Sequence, residues 1–326
     1  MTARVLAGFL WVVGALGVLA SDGVPLARGV KIVFMTQEEG MAFLGRADEF
    51  VKALSPIDRS ARLRVARAVG QGEYLNHVRK QVRDWSPDEN AKLVDCIGDL
   101  RGRLKGYRLP WPETIGLVKT TGAEEGGAAY TRGHVIVFPV SRLEQPKDKL
   151  RRLLLHELFH VLSRANPQLA DQLYAVVGFS KAAPLQFPRQ LADRKLTNPD
   201  APFNRHVIEV MHKGKPVIVA PILYSRVAKY DEEKGGPFFR YLIFRLLVLN
   251  PCDHSEAARD KAGRLTLLEP EQAEGFHEKI GRNTKYIIHP EETMADNFVY
   301  MVTDRKGLPN PEIVEKMRLI LLGKKK

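Results

Sequence analysis

Between Arg151 and Leu162 the chain reads Arg-Arg-Leu-Leu-Leu-His-Glu-Leu-Phe-His-Val-Leu. As a helix this stretch is apolar nearly all round, and such a helix is buried. It carries His156, Glu157 and His160 into the interior with it. A buried polar group without a partner costs about 1–3 kcal/mol, and a charge costs more. The fold must therefore bring partners to this helix. Residues four apart lie one turn apart on the same face. His156 and His160 can thus point two imidazoles at one metal ion, with Glu157 beside them. This is the H-E-x-x-H arrangement, in which the glutamate handles a water molecule at the metal.

A second stretch, far along the chain, completes the pattern: His289-Pro290-Glu291-Glu292-Thr293-Met294-Ala295-Asp296-Asn297-Phe298. Proline at the first helical position and acids in the first turn predict a helix to about Val302. Glu292 and Asp296 share one face of it, and Met294, Phe298 and Met301 occupy another that suits core packing. Catalytic zinc takes three protein ligands and keeps a fourth position open, and two histidines plus one glutamate is one form of that site. Glu292 is the expected third ligand. Asp296, one turn on, is expected to accept a hydrogen bond from the outer N–H of a ligating histidine, fixing its tautomer. Glu291 and His289 are the rivals. Glu291 has only Ala295 one turn further on and reads as an acid complementing the helix N-terminus. His289 reads as the residue that caps the helix.

The two stretches together, H-E-L-F-H and the E-x-x-x-D from Glu292 to Asp296, resemble the gluzincin clan of zinc metallopeptidases. The resemblance is to the clan, not to one member. It implies a zincin-like fold, one Zn2+ per chain held by His156, His160 and Glu292, Glu157 as general base, and Asp296 as support. In this chain 131 residues separate His160 from Glu292. That spacing requires a β-rich stretch, at about 180–285, inserted between the two active-site helices. The oxyanion of a hydrolytic reaction also needs a donor. Tyr130, Tyr224, Tyr230, Tyr286, His206, His254 and His289 all remain open for that role.

Elsewhere the expected fold class is α+β. An N-terminal, mainly helical region at 21–110 precedes a zincin-like domain at 111–326 with a small, mostly antiparallel sheet. Leu109-Pro110-Trp111-Pro112 marks the boundary. Capping signals at Thr36/Glu39 and Ser86/Glu89 predict helices from Gln37 to about Leu54 and from Pro87 to about Lys105. Ser55-Pro56 opens a basic helical stretch to about Val69, and Glu73 to Trp85 reads as another helix. Arg59, Arg62, Arg64, Arg67, Arg79, Lys80 and Arg83 would form a solvated basic face. That face is a candidate for weak contact with an anionic membrane or cell wall. The segments 126–131 and 134–138 form a hairpin just before the H-E-x-x-H helix and offer an edge strand to an extended peptide. Residues 180–205 read as irregular, and 207–211 with 217–224 as a second hairpin. Phe238 to Leu249 reads as a strand, Leu267 to Arg282 as partly helical, and Pro311 to Leu322 as a last helix.

Of the 326 residues, 44% are hydrophobic, enough for a large core, and the formal charge is +12. No nucleic-acid motif accompanies that charge, so no nucleic-acid partner is expected. Met1 to Arg4 is short and positive, Val5 to Ala20 is free of charge, and Val18-Leu19-Ala20 fits signal-peptidase cleavage. The run falls short of the ~20 residues of a spanning helix. Cleavage near Ala20 and export to a periplasmic or extracellular space are therefore expected, with a retained N-terminal anchor as the alternative. Cys96 and Cys252 leave a disulfide and two free thiols equally open. The expected function is an exported zinc-dependent metallohydrolase acting on peptides or proteins. The alternatives are a non-catalytic envelope or binding protein with a structural metal, and a zinc hydrolase of a non-peptide amide or ester.

Overall fold

A computed structural model describes residues 23–323; the expected signal segment, residues 1–20, lies outside them. The first sheet contains β1 (Val24–Ala27), β2 (Val30–Phe34), β3 (Val82–Arg83), β4 (Thr114–Thr120), β5 (Tyr130–Arg132) and β6 (Val135–Pro139). The strand order is β1-β2-β4-β6-β5, and β3 pairs with the far end of β4. The three central strands, β2, β4 and β6, run parallel, while β1 and β5 are antiparallel edges. The sheet is mixed: three of its five pairings are antiparallel, as expected of a mostly antiparallel sheet, and the parallel core is the addition. Residues 37–104 provide the long crossover that a parallel β2–β4 pair requires. Both central strands β4 and β6 are buried almost throughout, as strands covered on two faces are. Strands from either side of residue 110 pair in this one sheet.

The crossover holds α1 (Gln37–Leu44), α2 (Glu49–Ala53), α3 (Pro56–Leu63), α4 (Gln71–Arg79) and α5 (Pro87–Leu104). The single helix predicted to Leu54 is two helices: Gly45 closes α1, and the Asp48 side chain starts α2 by accepting the Val51 N–H. The helix predicted over 73–85 ends at Arg79, because Val82 is buried against the sheet as β3. The basic stretch predicted to Val69 stops at Arg64, whose φ of 59° reverses the chain. Arg62 is no part of a solvated face. Its guanidinium is fully buried between Asp58 at 2.5 Å and Glu125 at 2.6 Å.

After α6 (Val140–Leu143), α7 (Lys147–Ala165) carries the H-E-x-x-H stretch, and α8 (Pro167–Ala175) follows a single Asn166. Leu150, Leu154, Leu155, Leu158, Phe159, Val161 and Leu162 of α7 have no solvent exposure. Full burial stabilises by about 1.5–3 kcal/mol per side chain of this size, which fixes α7 between α5 and α11. A second sheet, wholly antiparallel, is inserted next. Its strands are β7 (Phe179–Lys181), β8 (His206–His212), β9 (Lys215–Ser225), β10 (Leu242–Val248) and β11 (Leu267–Leu268), in the order β11-β10-β9-β8-β7. Lys213 and Gly214, both at positive φ, make the tight β8–β9 turn. The short α9 (Arg189–Ala192) and α10 (Phe276–Ile280) frame this sheet. The chain then forms α11 (Pro290–Val302), which crosses α7, and α12 (Pro311–Leu321). Cys96 is buried, Cys252 is exposed, and both are free thiols. Among the described residues no helix is long and apolar enough to cross a membrane.

Candidate metal centre

Two helices build the site. Proline at position 290 starts α11, and the His289 side chain caps it by accepting the Glu291 N–H at 3.1 Å. Met294, Phe298 and Met301 are buried and hold α11 against the core. The opposite face of α11 then meets the histidines of α7. Glu292 Oε2 lies 3.2 Å from His156 Nε2 and 3.6 Å from His160 Nε2. Asp296 Oδ1 lies 3.1 Å from His156 Nδ1. The donor atoms of His156, His160 and Glu292 all fall within 4.8 Å of one another, a group that can hold a metal ion.

Glu291 sits in the first turn of α11, as expected of a helix-terminus acid, and has a further part. Its Oε1 lies 2.6 Å from His160 Nδ1 and accepts from Ser163 Oγ at 2.6 Å, while Tyr174 donates its hydroxyl to Oε2. Successive helix residues point about 100° apart, so Glu291 reaches His160 at Nδ1 while Glu292 faces both rings at Nε2. Each imidazole therefore has a carboxylate on Nδ1, which favours the Nδ1–H tautomer and leaves Nε2 as a lone-pair donor. His160 Nε2 is buried and makes no hydrogen bond among the described residues. A buried nitrogen in this state, facing a carboxylate oxygen and a second imidazole nitrogen, suits a cation ligand.

The electrostatics agree. Burial alone would lower the pKa of both histidines. The Asp296 and Glu292 contacts outweigh it at His156 and hold that ring well above the ordinary imidazole range. Asp200, Glu292 and Glu291 hold His160 at about 9. Burial would raise Glu292, but His160, His156 and Asn198 bring it down to about 2. Burial pushes Glu157 up, and Asp200 up to about 7. Five carboxylates thus converge on two imidazoles, and the site draws in positive charge. A divalent cation at the three Nε2 and Oε2 atoms would supply it.

Glu157 is 2% exposed, and Thr131 Oγ1 donates to its Oε2 at 2.9 Å. Thr131 belongs to β5, the strand expected to be open to a peptide. Its outward groups are already taken: its N–H donates to Asp200 Oδ1 at 2.6 Å, and Arg164 donates to its carbonyl at 3.1 Å. Here β5 is closed, because residues 197–201 cover its edge. Within that segment Asn198 Nδ2 donates to Glu292 Oε1, and the Asp200 N–H donates to Asn198 Oδ1 at 3.0 Å. Arg164 also ties the Pro199 and Asp200 carbonyls. Asp200, Asn198, Thr131, Ser163 and Tyr174 escaped the sequence reading. The only signal was the turn chemistry of Asn198-Pro199-Asp200 inside a stretch with no core pattern.

A cavity of about 400 Å3 opens onto His156, Glu157, Glu292 and Asp296. Of the seven oxyanion candidates, Tyr286 lines it, with its ring 6.2 Å from that of His156. The Glu292 charge, then burial, push the Tyr286 phenol well above its usual range, so it stays protonated. Tyr130 is buried beside Glu124, and His206 pairs with Asp171. Tyr230 donates to the Gly236 carbonyl. A larger cavity, about 530 Å3, lies across Asp200 and opens on Glu291 and His289. No protein-family model, no curated protein and no solved structure matches this chain.

Proposed function

We propose that this chain is an exported, zinc-dependent metallohydrolase of zincin type that cleaves peptide bonds. The observation that carries this reading is the spacing of three donor atoms around one point. Two ligands of a tetrahedral zinc with bonds of 2.0–2.1 Å stand about 3.4 Å apart. The Glu292 oxygen stands 3.2 Å and 3.6 Å from the two Nε2 atoms. His156, His160 and Glu292 would hold the ion, with Asp296 and Glu291 orienting the two rings. Zinc, when bound, supplies Lewis acidity, which activates water near neutral pH and polarises a carbonyl.

The protein's own groups then divide the work. Glu157, oriented by Thr131, takes the proton of the attacking water and returns it to the leaving amine. Its raised pKa brings it closer to neutrality, where a base that must also act as an acid works best. Tyr286 donates its hydroxyl to the carbonyl oxygen as charge builds there. Export rests on the Met1–Ala20 pattern.

The test is hydrolysis of a mixed peptide library by zinc-loaded protein, its chelated form and the Glu157→Gln variant. Cleavage by the loaded protein alone supports the reading. Equal cleavage by all three, or none by any, contradicts it.

A further inference from the structure

The cleft beside the candidate metal centre holds cations that have no carboxylate partner among the described residues. Lys149, Arg152 and His156 follow one another along α7 at i, i+3 and i+7, and all three line the 400 Å3 cavity. Arg142 of α6 lines it too. Pairing on α7 depends on the face. On the side towards α5, Lys147 is taken by Asp95 and Asp99, and Arg151 by Asp99 and Asp148. On the cleft side, no carboxylate among the described residues lies within 4.0 Å of Lys149, Arg152 or Arg142.

Arg152 is half-buried against the Tyr300 ring, 5.9 Å from its centroid, and makes no hydrogen bond among the described residues. Among the described residues Arg142 uses only Nε, on the Gly127 carbonyl at 3.0 Å, and its two terminal nitrogens have no partner there. A half-buried guanidinium without an anion is unfavourable, so a bound anion gains at this place. The acids of the cleft do not supply it. Glu292 and Asp296 are turned to His156, Asp296 also accepts from Thr284, Glu157 is turned to Thr131, and Asp200 accepts the Thr131 N–H. A main-chain dock lies opposite. Ala129 lines the same cavity, and its N–H and C=O have no partner among the described residues. It directly precedes the closed strand β5.

We infer that the cleft binds an extended peptide carrying a carboxylate two or three residues from the bond that is cut. Arg152 recognises that carboxylate, with Lys149 and Arg142 beside it, and Ala129 pairs with the peptide backbone. The helix rise of 1.5 Å per residue puts Arg152 about 6 Å and Lys149 about 10 Å from His156 along the axis. An extended chain advances about 3.3 Å per residue, hence two or three residues. The carboxylate belongs either to an acidic side chain or to the peptide's own C-terminus. The inference rests on the peptidase reading above.

The experiment uses the full zinc-loaded chain carrying Glu157→Gln, so that peptides bind without being cut. Fluorescent peptides carry a single glutamate at each position in turn, the same series carries glutamine, and each is made with a free and an amidated C-terminus. The expected result is binding about tenfold or more tighter for glutamate at one position, weakened by salt. Adding Arg152→Gln removes that advantage, and adding the exposed Lys149→Gln reduces it. If amidation abolishes the preference whatever the side chain, the recognised group is the C-terminal carboxylate. Equal affinity for acidic and neutral peptides overturns the inference, as does a preference that survives both substitutions. Hydrolysis by the native zinc-loaded protein is followed in parallel. Acid-selective binding without hydrolysis upholds the anion site and overturns the peptidase reading. Hydrolysis without acid selectivity does the reverse, and no peptide binding at all overturns both.

Discussion

Glu291 and Glu292 are adjacent in the chain, yet they meet the histidines at opposite ring nitrogens. Glu291 meets His160 at Nδ1, and Glu292 faces the Nε2 atoms of both rings. A carboxylate behind a ligand and a carboxylate that is a ligand differ in what their loss does. Glu291→Gln is expected to keep one zinc per chain with affinity reduced about 10–100-fold. Glu292→Gln is expected to abolish stoichiometric binding. Competition with a chromophoric chelator measures both, and equal losses would contradict the division.

Thr131 is expected to orient Glu157 without touching the metal. Thr131→Val removes the 2.9 Å hydrogen bond and little volume. It should leave zinc content unchanged and lower kcat by about tenfold, with the acidic limb of the pH profile displaced, because Glu157 loses a partner of its charged form. A variant with normal kcat would show that Thr131 serves the fold alone.

The buried Arg62 network holds the cover of the site. Arg62 binds Asp58, Glu125 and the Thr197 carbonyl, while Thr197 donates to Asp58 through both its N–H and its hydroxyl. Asn198 and Asp200 follow directly. Arg62→Met would strand two buried carboxylates, and losing one partner of a buried pair costs about 3–5 kcal/mol. Urea unfolding reads this. A loss below about 1 kcal/mol would mean the network is not a support.

Glu124 is fully buried, and burial raises its pKa to about 7. Its folded pKa lies above its unfolded value, so the folded state holds the extra proton. Its contribution is fully present below the unfolded pKa and is lost as pH rises through about 7. Glu124→Gln is therefore expected to match the native protein near pH 5 and to exceed it near pH 8, by up to about 3 kcal/mol. Unfolding of both proteins across that range checks the sign. A variant less stable at the higher pH would contradict it.

The parts of the fold legible in the sequence are those whose signals are local. The leucines around His156 and His160, the proline before Glu291, and the capping pairs at Thr36 and Ser86 each act within a turn or two of the residue they predict. The rest depends on partners far along the chain. Arg62 looks like one more surface cation until Glu125, 63 residues on, is seen to bind it. Val82 looks helical until Thr120 pairs with it across the sheet. Asn198 and Asp200 sit in a segment without periodicity, and their roles exist only where Glu292 and Thr131 meet them. Glu291 lies in the first turn of α11, as its local pattern indicates. Its contact with His160 joins residues 131 apart and leaves no local signal.

The most direct measurement is the metal content of the purified chain after zinc loading and removal of excess, beside Glu292→Gln and Glu157→Gln. The expected result is about one zinc per chain in the native protein and in Glu157→Gln, and near none in Glu292→Gln. No bound zinc in the native chain, or full retention in Glu292→Gln, would contradict the three-ligand centre.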